Sequence, residues 1–124
     1  MRLLLDTNAL LWWLADEGLG AQAREAIADP ANLVAVSAAS AWEISIKKTL
    51  GKLDAPDDLE QQVQTGGFVA LPISVTHSIA AGRLPRHHED PFDRMLIAQA
   101  LAERLTIVTR DKRFDDYGVA LLVA

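Results

Sequence analysis

The 124-residue sequence contains no cysteine, so it has neither a disulfide framework nor a thiolate metal site. Long apolar runs are missing too. The longest, such as residues 9–15, fall far short of the ~20 residues that a membrane-spanning helix needs. Asp6 interrupts the N-terminal apolar stretch almost at once, which predicts no secretory leader and makes a cytoplasmic location the default. No Ser/Gly linker, composition shift or internal repeat divides the chain, so one domain over residues 1–124 is expected. Hydrophobic residues make up 50% of it and charged residues 23%, which suits one compact core. Basic residues are in deficit, 12 against 17 acids, for a formal net charge of −5. That balance disfavours a phosphate-backbone partner unless several acids gather around a metal ion that neutralises them.

What is present alternates between strand and helix signals. Arg2 to Leu5 reads as a buried strand, and Thr7 or Asn8 can cap the helix that follows, with Leu10, Leu11, Trp13 and Leu14 as its apolar members. Gly18 and Gly20 bracket a turn before a helix over residues 21–28. Residues 33–36 form a second short strand, and a helix from about Ser37–Ser40 runs to Leu50, with Gly51 as its stop. Pro56 is expected in the first turn of the next helix, with Asp54, Asp57 and Asp58 serving its cap and dipole. Residues 68–71 read as a third strand, and Ser74 caps a short helix stopped by Gly82. After a polar loop, Asp90-Pro91 opens the longest helix, with Met95, Leu96, Ala98, Leu101 and Ala102 on its packing face. Residues 106–108 form a fourth strand and residues 119–123 a terminal one. The pattern predicts an α/β fold with a central, mostly parallel sheet flanked by helices.

Four acids fall at strand-to-helix junctions or helix beginnings: Asp6 after the first strand, Glu43 after the second, Asp93 behind Asp90-Pro91, and Asp111 after the fourth. In a parallel sheet these places share one edge, where ligands gather beyond the carboxyl ends of the strands. Carboxylates that close repel one another unless a cation holds them, and hard divalent cations choose oxygen ligands. Each acid also has a structural explanation. Glu43 suits a capping box with Ser40 or an i,i+4 pair with Lys47, Asp93 suits a capping role beside Asp90, and Asp111 suits a pair with Lys112 or Arg113. Asp6 resists such an account, because a carboxylate closing a buried strand needs a partner.

Thr7, Asn8 and Thr109 supply supporting hydroxyl and amide groups, with helix capping as their other use. The adjacent His87 and His88 lack the i,i+4 spacing of a helical zinc pair and are assigned to the loop without a metal role. His77 reads as a helix-surface residue. Trp12, Trp13 and Trp42 read as core. Among the basic residues Arg94 and Arg110 adjoin site acids and are the favoured phosphate contacts, with Lys112 beside them.

The stretches Leu3-Leu4-Leu5-Asp6-Thr7-Asn8, Ser40-Ala41-Trp42-Glu43-Ile44, Asp90-Pro91-Phe92-Asp93-Arg94 and Val108-Thr109-Arg110-Asp111 resemble those of PIN-domain ribonucleases. Within that superfamily the chain is most similar, over nearly its whole length, to the VapC toxins of VapBC toxin–antitoxin modules. The resemblance implies a single PIN domain, a Mg²⁺- or Mn²⁺-dependent endoribonuclease activity on RNA, a homodimer, and inhibition by a cognate VapB-type antitoxin. It also implies a site of Asp6, Glu43, Asp93 and Asp111 with Thr109 in support, Asp93 rather than Asp90 matching the family acid. The position of Asp111 varies most across such proteins. Two rivals stand beside it. A phosphatase working through an aspartyl phosphate also begins with a strand ending in Asp, but it wants a general acid two residues later, where this chain has Asn8. A PIN-like binding module with an idle site is the other, and retention of all four acids weighs against it.

Overall fold

The computed structural model describes residues 1–124. Its strands are β1 (Arg2–Leu5), β2 (Leu33–Ser37), β3 (Val69–Leu71), β4 (Thr106–Thr109) and β5 (Leu121–Val123), and its helices are α1 (Thr7–Ala15), α2 (Ala21–Ala28), α3 (Ala38–Thr49), α4 (Leu59–Thr65), α5 (Val75–Arg83) and α6 (Pro91–Glu103). A 3₁₀ segment covers Lys112–Tyr117. The strands form one sheet in the order β3-β2-β1-β4-β5, and every pairing is parallel.

β1 owes its central place to its three leucines. Leu3, Leu4 and Leu5 are wholly buried because consecutive side chains point to opposite faces and both faces are covered. Leu3 and Leu5 enter the core built with Leu10, Ile27, Val63 and Phe68, while Leu4 enters the one built with Leu96, Ile97, Ile107 and Phe114. Leu5 lies opposite Val36 on one side and Val108 on the other, so β1, β2 and β4 end nearly level. The chain winds outward from β1 to β3, then crosses back to β4. The crevice beyond the ends of β1 and β4 is therefore a topological switch point.

Several local expectations are corrected. α4 begins at Leu59, so Pro56 lies in the preceding loop rather than in the first turn. Asp57 instead pairs with Lys48, and Asp58 accepts from Gln62 Nε2 at 2.8 Å. α5 passes through Gly82 to Arg83 and stops where Leu84 turns extended, the backbone that a following proline, Pro85, imposes. On α6 the buried set is Leu96 to Ala100, whereas Leu101 and Ala102 are exposed. This helix packs against α5, α3 and β4 together, so one narrow stripe does not describe it. His77 is buried, not on the surface: Nδ1 accepts from Ser74 N at 3.1 Å, and Nε2 lies 2.9 Å from Glu103 Oε1. Trp12 and Trp13 pack at the edge of the core, but Trp42 is 61% exposed, with the ring of Phe92 edge-on to it at 5.4 Å. No helix is long and apolar enough to cross a membrane.

Candidate active site

Asp6, and not Thr7 or Asn8 as expected, caps α1, accepting from Ala9 N at 2.8 Å while its side chain sits nearly out of solvent at the end of β1; Thr7 and Asn8 already lie inside the helix. Burial raises its pKa, the nearby Asp111 and Glu43 add to the rise, and hydrogen bonds from Thr109 and Ala9 oppose it. One residue on, Thr7 Oγ1 donates to Glu43 Oε1 at 2.6 Å, with Ser40 Oγ 3.3 Å away. α3 is capped by Ser37, which accepts from Ala39 N at 3.0 Å, so Glu43 is free of the capping box. Its second oxygen meets Lys47 Nζ at 2.6 Å, which makes it both a buried cleft acid and the i,i+4 partner that the spacing allowed. That hydrogen bond, with the charges of Glu43, Asp90 and Asp93, raises the Lys47 pKa.

The start of α6 separates two neighbouring acids by role. Asp90 takes the cap, accepting from Phe92 N at 2.8 Å and Asp93 N at 3.2 Å. Asp93 makes no such bond and turns into the cleft. Burial, then repulsion from Asp90, pushes its pKa up to about 7, with Asp6 and Glu43 adding and His88 opposing. On the other side, Thr109 closes β4 and its Oγ1 accepts from Asp111 N at 3.0 Å. Asp111 caps the 3₁₀ segment and is gripped by Arg113, with Nη2 at 2.7 Å from Oδ2; that hydrogen bond holds its pKa below the usual carboxylate value.

Asp6, Glu43, Asp93 and Asp111 thus line one cleft of about 210 Å³, together with Thr7, Asn8, Trp12, Lys47, Asp90, Arg110 and Arg113. The acids outnumber the bases there. Glu43 and Asp111 have their own Lys or Arg partner, Asp90 has backbone N–H groups, and Asp6 and Asp93 have neither Lys nor Arg. The side chains near enough together to surround one ion are His88, Asp93 and Asp111. Their carboxylate oxygens, with Asp6 and Glu43 lining the same cleft, fit a hard divalent cation.

The expected basic contacts fare differently. Arg94 faces away from the cleft: Nη2 donates to Ala81 O and Leu84 O at 2.9 Å, and Nη1 to Pro85 O at 3.0 Å and His88 O at 3.2 Å. Its planar fork closes the carbonyl end of α5 and the loop after it, which commits all four terminal N–H groups away from the cleft. Replacing it with Ala, or with Lys, which cannot span four carbonyls, is expected to cost about 3 kcal/mol of stability in urea denaturation. Arg110 stays at the rim, yet its guanidinium stacks over Trp12 at 4.2 Å and donates to Ala124 O at 2.8 Å and to Gly18 O. Lys112 is exposed on the 3₁₀ segment and outside the cleft lining.

Sequence reasoning missed His88. Far from being an idle loop residue, it is 2% exposed, and its Nε2 lies 2.8 Å from Asp93 Oδ2 and 3.4 Å from Asp111 Oδ2. The Asp93 contact falls off the line of a well-formed hydrogen bond, leaving Nε2 without a fully satisfying partner. Nothing in its spacing marks it; only the fold of the loop between α5 and α6 turns it inward.

The same fold occurs in solved structures. FitAcB from Neisseria gonorrhoeae is 19% identical with a TM-score of 0.64, the match covering 98% of this chain and 96% of that one. VapBC2 from Rickettsia felis, bound to a DNA fragment from its promoter, is 18% identical with a TM-score of 0.71 and 98% coverage of both chains. FitAB bound to an IR36 DNA fragment is 17% identical with a TM-score of 0.56, covering 97% and 93%. No curated relative matches the sequence. The family model described as PIN domain matches residues 3–120, and this chain belongs to that family.

Proposed function

We propose that this protein is a metal-dependent endoribonuclease of VapC type, the toxin of a type II toxin–antitoxin pair, with residues 1–124 as its single PIN domain. The observation that carries the proposal is the convergence of Asp6, Glu43, Asp93 and Asp111 on one cleft, where Asp6 and Asp93 lack a Lys or Arg partner. Asp6 and Asp93 would hold Mg²⁺ or Mn²⁺, with Glu43 and Asp111 completing the acidic pocket. The ion, when bound, supplies charge to the scissile phosphate and a lowered pKa to the attacking water.

The chain's own residues do the rest. Asp6 is held rigid by the start of α1, and Thr109 braces it from β4. Thr7 and Lys47 each take one Glu43 oxygen and so fix the orientation of that carboxylate. Arg110 at the rim and Lys112 just outside it offer positive charge to a polyanion, while the acids keep a phosphodiester out until a cation offsets them. No protein nucleophile is required, and the resemblance implies 5′-phosphate and 3′-hydroxyl ends. The resemblance implies a VapB-type antitoxin and a second copy of the chain as protein partners. A cytoplasmic location goes with that role.

Purified protein is expected to cleave an RNA oligonucleotide, to stop in EDTA, and to resume when Mg²⁺ or Mn²⁺ is restored. A DNA oligonucleotide of the same sequence, run alongside, reads the substrate class. Cleavage indifferent to chelation would count against the proposal.

A further inference from the structure

His88 is the one buried imidazole in contact with the acidic cleft, and its tautomer can be read from its surroundings. Asp90 N lies 3.2 Å from His88 Nδ1. A backbone amide can only donate, so Nδ1 presents its lone pair and the ring proton sits on Nε2. Nε2 is the atom that reaches the carboxylates of Asp93 and Asp111. It therefore faces them with an N–H and has no lone pair to give a cation.

The ring is held from several directions. His88 N donates to Tyr117 Oη at 2.8 Å, Tyr117 Oη donates to Pro85 O at 2.7 Å, and Arg94 holds the His88 carbonyl. Phe114 packs edge-on against the imidazole at 5.8 Å. These supports come from α6 and from the 3₁₀ segment, the two elements that carry Asp93 and Asp111. Nε2 lies between the two carboxylates, off the line of a well-formed hydrogen bond to either, so its N–H attracts both electrostatically and faces only Oδ2 of Asp93, leaving Oδ1 for a cation.

We infer that His88 is a positioning residue of the acidic site: a neutral N–H donor that orients Asp93 and Asp111, and not a ligand of the ion they would hold. The inference rests on the metal-dependent reading above, in which partners that orient metal ligands change affinity by about 10- to 100-fold.

The test uses Mn²⁺ as the probe and the full-length chain without RNA. Free Mn²⁺ is followed by electron paramagnetic resonance during titration of the wild type, His88→Asn and His88→Gln. Asn keeps an acceptor near Nδ1 for the Asp90 amide but no donor toward Asp93, whereas Gln restores an N–H near the position of Nε2. His88→Asn is expected to bind Mn²⁺ about tenfold more weakly. It should also lower kcat on RNA while leaving KM within about twofold, because the carboxylates and not the RNA contacts are disturbed. His88→Gln should recover most of both losses. Equal affinity in wild type and His88→Asn, or a Gln variant as weak as Asn, overturns the inference. So does a ¹⁴N spin-echo signal from an imidazole bound directly to Mn²⁺ in the wild type, a measurement that needs no variant to fold. Failure of the wild type to bind Mn²⁺ at all removes the metal reading itself and this inference with it.

Discussion

Asp93→Asn is expected to lower metal-dependent RNA cleavage by at least about 10²–10³-fold, the scale of losing one group that stabilises transition-state charge. The variant should remain folded. Asp93 caps nothing and has no Lys or Arg partner, and its contact with the His88 imidazole is not a well-formed hydrogen bond, so the amide removes a partly desolvated charge while the bonds that cap α6 stay intact. Asp90→Asn is the control, since Asn caps a helix as well as Asp does and the Phe92 and Asp93 amides keep their acceptor. It should lose far less activity, although Asp90 also borders the cleft. Sequencing of RNA ends after brief induction of the wild type and of Asp93→Asn checks both activity and target. Equal cleavage by the purified pair would mean that the ion, or the chemistry, lies elsewhere.

The division of labour between Asp90 and Asp93 is legible in the sequence, because proline at the first helical position marks the residue ahead of it as the cap. The same holds for β1, where three leucines followed by a carboxylate require a strand covered on both faces and a polar edge. Glu43 was legible in part: its pairing with Lys47 and its place in the cleft are both real, since the two oxygens of one carboxylate serve them separately. Long-range backbone partners were not legible. Arg94 follows a site acid in the sequence, but helix geometry turns it toward the carbonyls that end α5, far upstream in the chain. His77 and His88 were misread for a related reason. Each accepts a nearby backbone N–H at Nδ1, and that local bond folds the ring inward to a partner that no spacing reveals. Trp42 departs in the opposite direction, because it lies on the solvent side of α3 with Phe92 packed edge-on against it and most of its surface exposed.

Metal-free protein is expected to be more stable near pH 5 than near pH 8, and bound Mn²⁺ should reverse the order. The Asp93 pKa is about 7 in the folded chain against an ordinary 3.8, and that of Asp6 is raised as well. Between those values the folded state binds more protons than the unfolded one, so stability falls as pH rises through that window. A rise of this size in a single group corresponds to at most about 4 kcal/mol. The depressed carboxyls, Asp57 and Asp111, lose their contribution only as pH falls through their folded pKa values, below the ordinary 3.8. The raised Lys47 loses its contribution only above about 10.5, so neither group masks the trend. A cation that binds deprotonated carboxylates adds stability where they are ionised, and millimolar Mn²⁺ should raise the melting temperature far more at pH 8 than at pH 5. Asp93→Asn should reduce the pH dependence in EDTA and shrink the Mn²⁺ shift together, because the Asp93 carboxylate contributes to both, with Asp6 supplying the remainder. Thermal melts at the two pH values, with EDTA and with Mn²⁺, decide the matter: a metal-free wild type that melts higher at pH 8 would show that the cleft acids are not held at the cost of the fold.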